Sequence, residues 1–361
     1  MSSEFGTTLK TSVFGESHGP AIGVVLQGLP AGEAVDLDAL NAFLARRRPG
    51  QGPMTTRRNE TDEPEFLAGL KDGKTTGFPL SAIIRNSDQH SNDYDNLRTN
   101  PRPSHADYTA FVKYGASRDM RGGGHFSGRL TAPLCIAGGI CLQMLERRGI
   151  FIGAHLKSVA DVEDDTFPLE PTKELFAEVR NRNPAVLNEA AGEKMKNAIE
   201  AARLDADSGG AVIECAVIGL PAGLGSPMFD GIENQLAKAL FGIPAVKGLE
   251  FGSGFAGTKL RGSENNDPFT VSDGVIKTTT NNSGGCNGGI ANGMPVVFRA
   301  AFKPTASIGK PQQTVNLETM EETELIVKGR HDPCVAVRAV PVVEAVTALV
   351  LTDLLLTEGK F

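Results

Sequence analysis

The chain has 361 residues, 40% hydrophobic and 22% charged, an ordinary globular composition that fits one large domain or two smaller ones. A formal net charge of −7 argues against nucleic-acid or membrane-surface binding. No apolar run reaches the ~18–20 residues of a membrane span, the longest, Val340 to Leu356, being broken by Pro341, Glu344 and Asp353. Cys135, Cys141, Cys215, Cys286 and Cys334 show no zinc spacing, and Met1-Ser2-Ser3-Glu4 lacks the regions of a signal peptide. A cytoplasmic protein with free thiols is expected.

The first notable stretch is Gly15-Glu16-Ser17-His18-Gly19-Pro20. An acid, a hydroxyl and an imidazole sit among residues that let backbone approach a ligand. An acid/base loop and a plain polar turn both fit. Ala21 to Gln27 reads as a strand, closed by the turn Gly28-Leu29-Pro30-Ala31-Gly32. Asp36 caps a helix running to about Arg48, with Leu37, Leu40, Phe43 and Leu44 on one face. Pro49-Gly50 ends it. Arg46, Arg47 and Arg48 close that helix and Arg57-Arg58 follow. Arginine suits bidentate recognition of phosphate and carboxylate. Cations also favour a helix C-terminus, although that role needs only one or two.

Pro79 to Ile84 predicts another strand. Asn86 to Thr109 has little periodicity and reads as a functional loop, holding Arg102-Pro103-Ser104-His105-Ala106-Asp107-Tyr108. Arg121-Gly122-Gly123-Gly124-His125-Phe126-Ser127-Gly128-Arg129 leads into an apolar helix, about Leu130 to Arg147. A glycine-rich loop opening a helix is a ready anion site, though this one is neither a Rossmann fingerprint nor a P-loop. Val159 to Asn188 is charged and shows no clear period, and a helix is expected over Asn188 to Ala202. Asn281 to Gly289 is a glycine-rich turn. Lys303-Pro304-Thr305-Ala306-Ser307 offers a cation and two hydroxyls suited to a phosphate. Arg330-His331-Asp332-Pro333 sets a cation, an imidazole and a carboxylate side by side.

Parts of the chain repeat. Gly28 to Gly32 recurs as Gly219-Leu220-Pro221-Ala222-Gly223, and each is followed by an acid-capped amphipathic helix, Asp36 to Arg47 and Asp230 to Leu240. Gly77-Phe78-Pro79-Leu80 resembles Gly293-Met294-Pro295-Val296, and a long apolar helix follows Arg129 and again Arg338. The shared order predicts an internal duplication, about 1–150 and 205–361, with four long helices packed between sheets.

Taken together, six motifs resemble the chorismate synthase family over nearly the whole chain. They are Gly15-Glu16-Ser17-His18-Gly19, Arg46-Arg47-Arg48-Pro49-Gly50-Gln51, His105-Ala106-Asp107-Tyr108, Arg121-Gly122-Gly123-Gly124, Lys303-Pro304-Thr305 and Arg330-His331-Asp332-Pro333-Cys334. The resemblance implies an α+β fold, a layered β-α-β sandwich with a helical core between two antiparallel sheets, in one domain that assembles as a homotetramer. It implies a lyase that converts 5-enolpyruvylshikimate 3-phosphate to chorismate and phosphate by 1,4-anti-elimination with reduced FMN. That reaction is the last step of the shikimate pathway of aromatic amino acid biosynthesis. An external, NADP-linked reductant for the flavin is expected, and no metal.

Carried over by position, the resemblance makes His18 and His105 the two catalytic histidines and Asp332 the carboxylate that handles a proton at the flavin. Flavin contacts fall on His125, Phe126, Ser127, Pro244, Ala245, Gly288, Lys303, Pro304, Thr305, Ala306, Ser307 and Arg330. Substrate contacts fall on Arg46, Arg47, Arg48 and Arg129. Two positions depart from the family pattern: Pro53 and His125 stand where arginines are usual. They leave an alternative open, an FMN-binding relative that is inactive or acts on another phosphorylated cyclic acid.

Overall fold

The protein is described by a computed structural model, in residues 3–50, 54–55, 60–86, 97, 99–327 and 331–361. Pro53, Arg57, Arg58 and Arg330 therefore lie outside the described residues. The first sheet is built from β1 (Glu4–Phe5), β2 (Lys10–Gly15), β3 (Ala21–Gln27), β4 (Glu65–Ala68) and β5 (Leu80–Arg85). Its order is β1-β2-β3-β5-β4 and every pairing is antiparallel. The second sheet holds β6 (Phe151–Val159), β7 (Val162–Glu163), β8 (Ala211–Ile218), β9 (Val246–Phe251) and β10 (Val296–Phe302). Its order is β9-β10-β8-β6-β7, again antiparallel throughout. In β10, Val296, Phe298, Ala300 and Phe302 alternate into the core, as a strand with one buried face requires.

The helices are α1 (Leu37–Arg47), α2 (Asp107–Tyr114), α3 (Thr131–Glu146), α4 (Lys173–Arg180), α5 (Glu189–Leu204), α6 (Ile232–Leu240), α7 (Gly262–Asn265) and α8 (Ala336–Thr357). Helices α1, α3, α6 and α8 pack on one another between the sheets. α3 lies against β3 and β5, and α8 against β6 and β8. This is the layered α+β sandwich expected from the resemblance. Against the expectation that no apolar run is long enough, Gly128–Glu146, which includes α3, and α8 are long and apolar enough to cross a membrane, but both are mostly buried in the protein core.

Several local expectations hold. Ala21–Gln27 is a strand, Asp36 accepts from Ala39 N as the α1 cap, and Asn188 caps α5. Others need correction. Gly231, not Asp230, is the N-cap of α6, and the Asp230 carboxylate accepts from Gln235 Nε2 at 3.0 Å instead of from the helix start. Helix α8 starts at Ala336, so Arg338 stands in its first turn rather than ahead of it. The polar stretch through Thr109 contains the start of α2. The unperiodic segment after Val159 carries α4, whose Phe176 packs with Phe167 and Ala216 on the outer face of the second sheet. That segment is pinned by His155, fully buried on β6. Its Nδ1 lies 3.0 Å from Asp164 Oδ2 and its Nε2 lies 3.1 Å from Glu214 Oε2.

Candidate active site

A cavity of about 890 Å³ opens between the N-terminal ends of α3 and α8, the glycine turn before α3 and the segments 243–247 and 303–307. It gathers sequence positions that lie up to 346 residues apart, from Ser3 to Leu349. Among the expected site residues, His105, His125, Phe126, Ser127, Pro244 and Ala245 line it. So do Lys303 through Ser307, Asp332, Arg47 and Arg129. An apolar wall comes from Leu134 on α3 and from Val342, Val346 and Leu349 on α8.

The other expected residues are placed elsewhere. Arg46 lies outside the cavity because buried Glu344 holds its guanidinium, Nη1 to Oε2 at 2.5 Å and Nη2 to Oε1 at 3.2 Å. Glu344 also accepts from Ala154 N, so this pair ties α1 and α8 to β6. Arg48 and Gly288 are likewise not among the cavity walls. His18 is buried, 4% exposed, and sits behind Gly122, which does line the cavity. Arg330 lies outside the described residues.

The glycine turn explains that arrangement. Gly122, Gly123 and Gly124 have φ of 62°, 99° and 55°, left-handed values that side chains resist. A Cβ on Gly122 would stand 2.4 Å from Cδ2 and Nε2 of His18, and one on Gly123 would stand 3.5 Å from Nε2 of His105. The turn thus lies against both histidines. Ser17 N donates to Gly124 O at 3.1 Å and fixes the His18 loop to it. The glycine turn before α3 thus forms a collar against two imidazoles.

His125 is committed to its surroundings. Its Nδ1 is 2.8 Å from Gly15 O, which only accepts, so Nδ1 carries the proton; Nε2 lies 2.7 Å from Ser3 Oγ.

The arginines of the cavity are already paired. Arg47 donates to Asp62 Oδ2 at 2.8 Å, to Thr131 Oγ1 at 3.1 Å and to Gly128 O at 3.0 Å. Burial pushes Arg47 down to about 10, which leaves it charged at neutral pH. Arg129 bonds Asp62 Oδ1 and Asn86 Oδ1, with Glu60 Oε2 at 3.5 Å. Burial alone would raise the Asp62 carboxyl, but Arg47 and Arg129 outweigh it and hold the group below its ordinary value. Arg338 donates to Asp332 Oδ2 at 2.6 Å and to Arg47 O at 3.0 Å. The result is a rigid lattice of guanidiniums and carboxylates at one end of the cavity.

Lysines mark another part of the wall. Lys238, Lys247 and Lys303 line the cavity and, among the described residues, none has a carboxylate partner. Lys303 Nζ donates to Ser104 O at 2.8 Å, and burial, then the nearby Lys247 charge, pushes its pKa down. These are the cations with charge to spare, and only Lys303 stood out in the sequence. Lys238 on α6 and Lys247 on β9 carry no local signature, although both flank the expected Pro244-Ala245 contact. Thr305 Oγ1 is buried with no hydrogen-bond partner among the described residues. A buried hydroxyl left unpaired is costly, and a ligand in the cavity would satisfy it.

Comparison with known proteins agrees along the chain. A family model described as chorismate synthase matches residues 9–356. The chorismate synthase of Lancefieldella parvula is 47% identical, the match covering 98% of this chain and 96% of that protein. That of Thermococcus gammatolerans is 48% identical over 97% of both. A crystal structure of chorismate synthase matches this fold with a TM-score of 0.77 at 28% identity, covering 98% of this chain and 93% of the other.

Proposed function

The chain belongs to the chorismate synthase family of carbon–oxygen lyases, and on that premise we propose that it converts 5-enolpyruvylshikimate 3-phosphate to chorismate and phosphate in the presence of reduced FMN. The observation that carries this reading is the single cavity in which His105, Asp332, the segment 303–307 and two sets of cations meet.

The residues present fit a flavin mononucleotide. The Thr305 hydroxyl, without a partner among the described residues, needs one, the lysines without a carboxylate partner there suit an anion, and the apolar wall suits a hydrophobic ring. Ser127, Pro244, Ala245 and Lys303 through Ser307 would hold it. Reduced FMN supplies, when bound, the electron density that eases departure of the phosphate. Lys238, Lys247 and Lys303 bind anionic groups. Arg47, Arg129 and Arg338, fixed by Asp62 and Asp332, offer N–H groups that need no reorganisation as charge develops on the leaving oxygens. His105 exchanges a proton at the cavity wall. His18 packs directly behind the cavity wall, in space that a side chain at Gly122 would take. Leu134, Val342, Val346 and Leu349 exclude water.

The same reading includes a homotetramer, an external flavin reductant and a reducing cytoplasm. The exposed apolar hairpin Phe269–Thr278 supports assembly, and five free buried cysteines suit that compartment. We also propose that the two sheets descend from one duplicated unit. Leaving aside β7, α2, α4, α5, α7 and the small two-stranded hairpins that intervene, each has the order strand-strand-helix-strand-strand-helix, β2-β3-α1-β4-β5-α3 and β6-β8-α6-β9-β10-α8. In support, Gly28 and Gly219 sit equally close to a carbonyl, an added Cβ lying 2.1 Å from Thr8 O and from Gly149 O. On this view the second unit opens at β6.

The cofactor part is tested by FMN titration of Thr305→Val. Losing one hydrogen bond of about 1.5 kcal/mol weakens FMN binding about 10-fold. Unchanged affinity removes Thr305 from the cofactor site.

A further inference from the structure

His105 has its Nδ1 2.7 Å from Oδ1 of Asp107. An ionised carboxylate only accepts, so a proton must lie between the two atoms and Nδ1 must carry it. Arg102 Nη2 also lies 3.0 Å from Nδ1, but that group donates to Asp107 Oδ1 at 2.8 Å, and a protonated ring nitrogen cannot accept. In the neutral ring Nε2 is therefore bare. It is the Nε2 side that lies beside Gly123 on the cavity wall.

Asp107 is itself held on every side. Its Oδ2 accepts from Arg102 N at 3.0 Å and from Arg102 Nε at 2.7 Å. Both residues are 5% exposed. Burial would raise the Asp107 carboxyl, but the bonds from Arg102 and His105 prevail and keep it far below its ordinary range. The remaining Arg102 nitrogen, Nη1, donates to Ser307 Oγ at 3.1 Å, and Lys303 Nζ donates to Ser104 O. The histidine segment and the segment 303–307 are thereby stitched together twice.

We propose that Asp107, clamped by Arg102, is a positioning residue that fixes His105 as the Nδ1–H tautomer and presents a proton-accepting Nε2 to the cavity, with Ser307 linking that geometry to the segment 303–307. Its consequence for turnover rests on the lyase reading above; the tautomer does not. An acid in the first turn of α2 also favours the helix dipole, so a purely structural role must be separated from this one.

The test is the ring ¹⁵N spectrum of histidine-labelled full-length protein without ligand, with the imidazole neutral, and with His105→Gln for assignment. The wild type shows a protonated Nδ1 and a bare Nε2; the opposite pattern overturns the proposal. Asp107→Asn sharpens the test. Its amide oxygen stays with the two Arg102 donors at the Oδ2 position, so its NH₂ faces Nδ1 and the ring proton moves to Nε2. With it, kcat for 5-enolpyruvylshikimate 3-phosphate falls about 100-fold, while KM and FMN affinity stay within about threefold. Asp107→Glu restores the tautomer and part of kcat. An Asp107→Asn protein that loses kcat with its proton still on Nδ1, or keeps kcat with the proton moved, overturns the proposal. If that variant does not fold, the wild-type spectrum decides alone. A wild type with the stated tautomer that never turns over this substrate sinks the lyase reading and supports the positioning claim.

Discussion

Gly122 stands over His18 so closely that a Cβ on it would lie 2.4 Å from the imidazole Nε2. A methyl group there must push His18 or the turn aside, and φ of 62° adds backbone strain. Gly122→Ala should lower kcat by about 100-fold or more, the scale of a displaced acid/base group. It should also cost on the order of 1–3 kcal/mol of stability. Steady-state kinetics beside thermal unfolding checks both. A variant with kcat within threefold of wild type would remove His18 from the chemistry.

The two sets of cations should respond differently to truncation. Lys238 and Lys247 line the cavity and lack carboxylate partners among the described residues, so on the proposed reading each is an anion contact. A charge-assisted bond is worth about 1.5–3 kcal/mol, so Lys247→Ala or Lys238→Ala should weaken ligand binding by about 10- to 100-fold with kcat little changed. Arg46→Ala should leave KM alone and instead destabilise the fold by about 3–5 kcal/mol, because it strands Glu344 as a buried, unpaired carboxylate. A KM effect confined to Arg46→Ala would reverse the assignment.

Stability should fall on both sides of neutral pH. Burial pushes Asp62, Asp107 and Asp164 up, but their partners win and hold all three below ordinary carboxylate values. Their contribution is complete above the unfolded value of about 3.9 and is lost as pH drops through the lower folded values. His155 runs the other way. Burial pushes it down, yet Asp164 and Glu214 outweigh burial and raise it. Its contribution is complete below about 6.5 and is lost as pH rises through the higher folded value. Melting temperature measured from pH 3 to pH 10 should show a plateau between the two losses. His155→Gln should melt lower on the plateau and lack the alkaline decline; a variant that keeps that decline would place its origin elsewhere.

Much of this was legible in the sequence where a signal was local. Ala21–Gln27, the Asp36 cap and the apolar run of α3 follow from period and capping alone. The motifs around His105, Ser127, Lys303 and Asp332 all fall on the cavity wall, and each packs chemistry into a few residues. What stayed hidden is long-range. Asp62 serves Arg47 and Arg129, 15 and 67 residues away, and nothing local announces a shared counterion. Arg46, beside Arg47 in the same run, turns toward Glu344 because successive helical residues point in different directions. Lys247 looks like any strand lysine until the fold seats it on the cavity. Helix α2 is eight residues long, too short for a periodic signal to stand out from the polar stretch before it.

The lyase reading stands or falls on turnover. Purified protein is incubated without oxygen with 5-enolpyruvylshikimate 3-phosphate and chemically reduced FMN, and chorismate, phosphate and flavin oxidation state are followed together. The expected result is chorismate and phosphate in equal amounts, many turnovers for each FMN, and flavin still reduced at the end. No chorismate, or one flavin oxidised for every product formed, would contradict it.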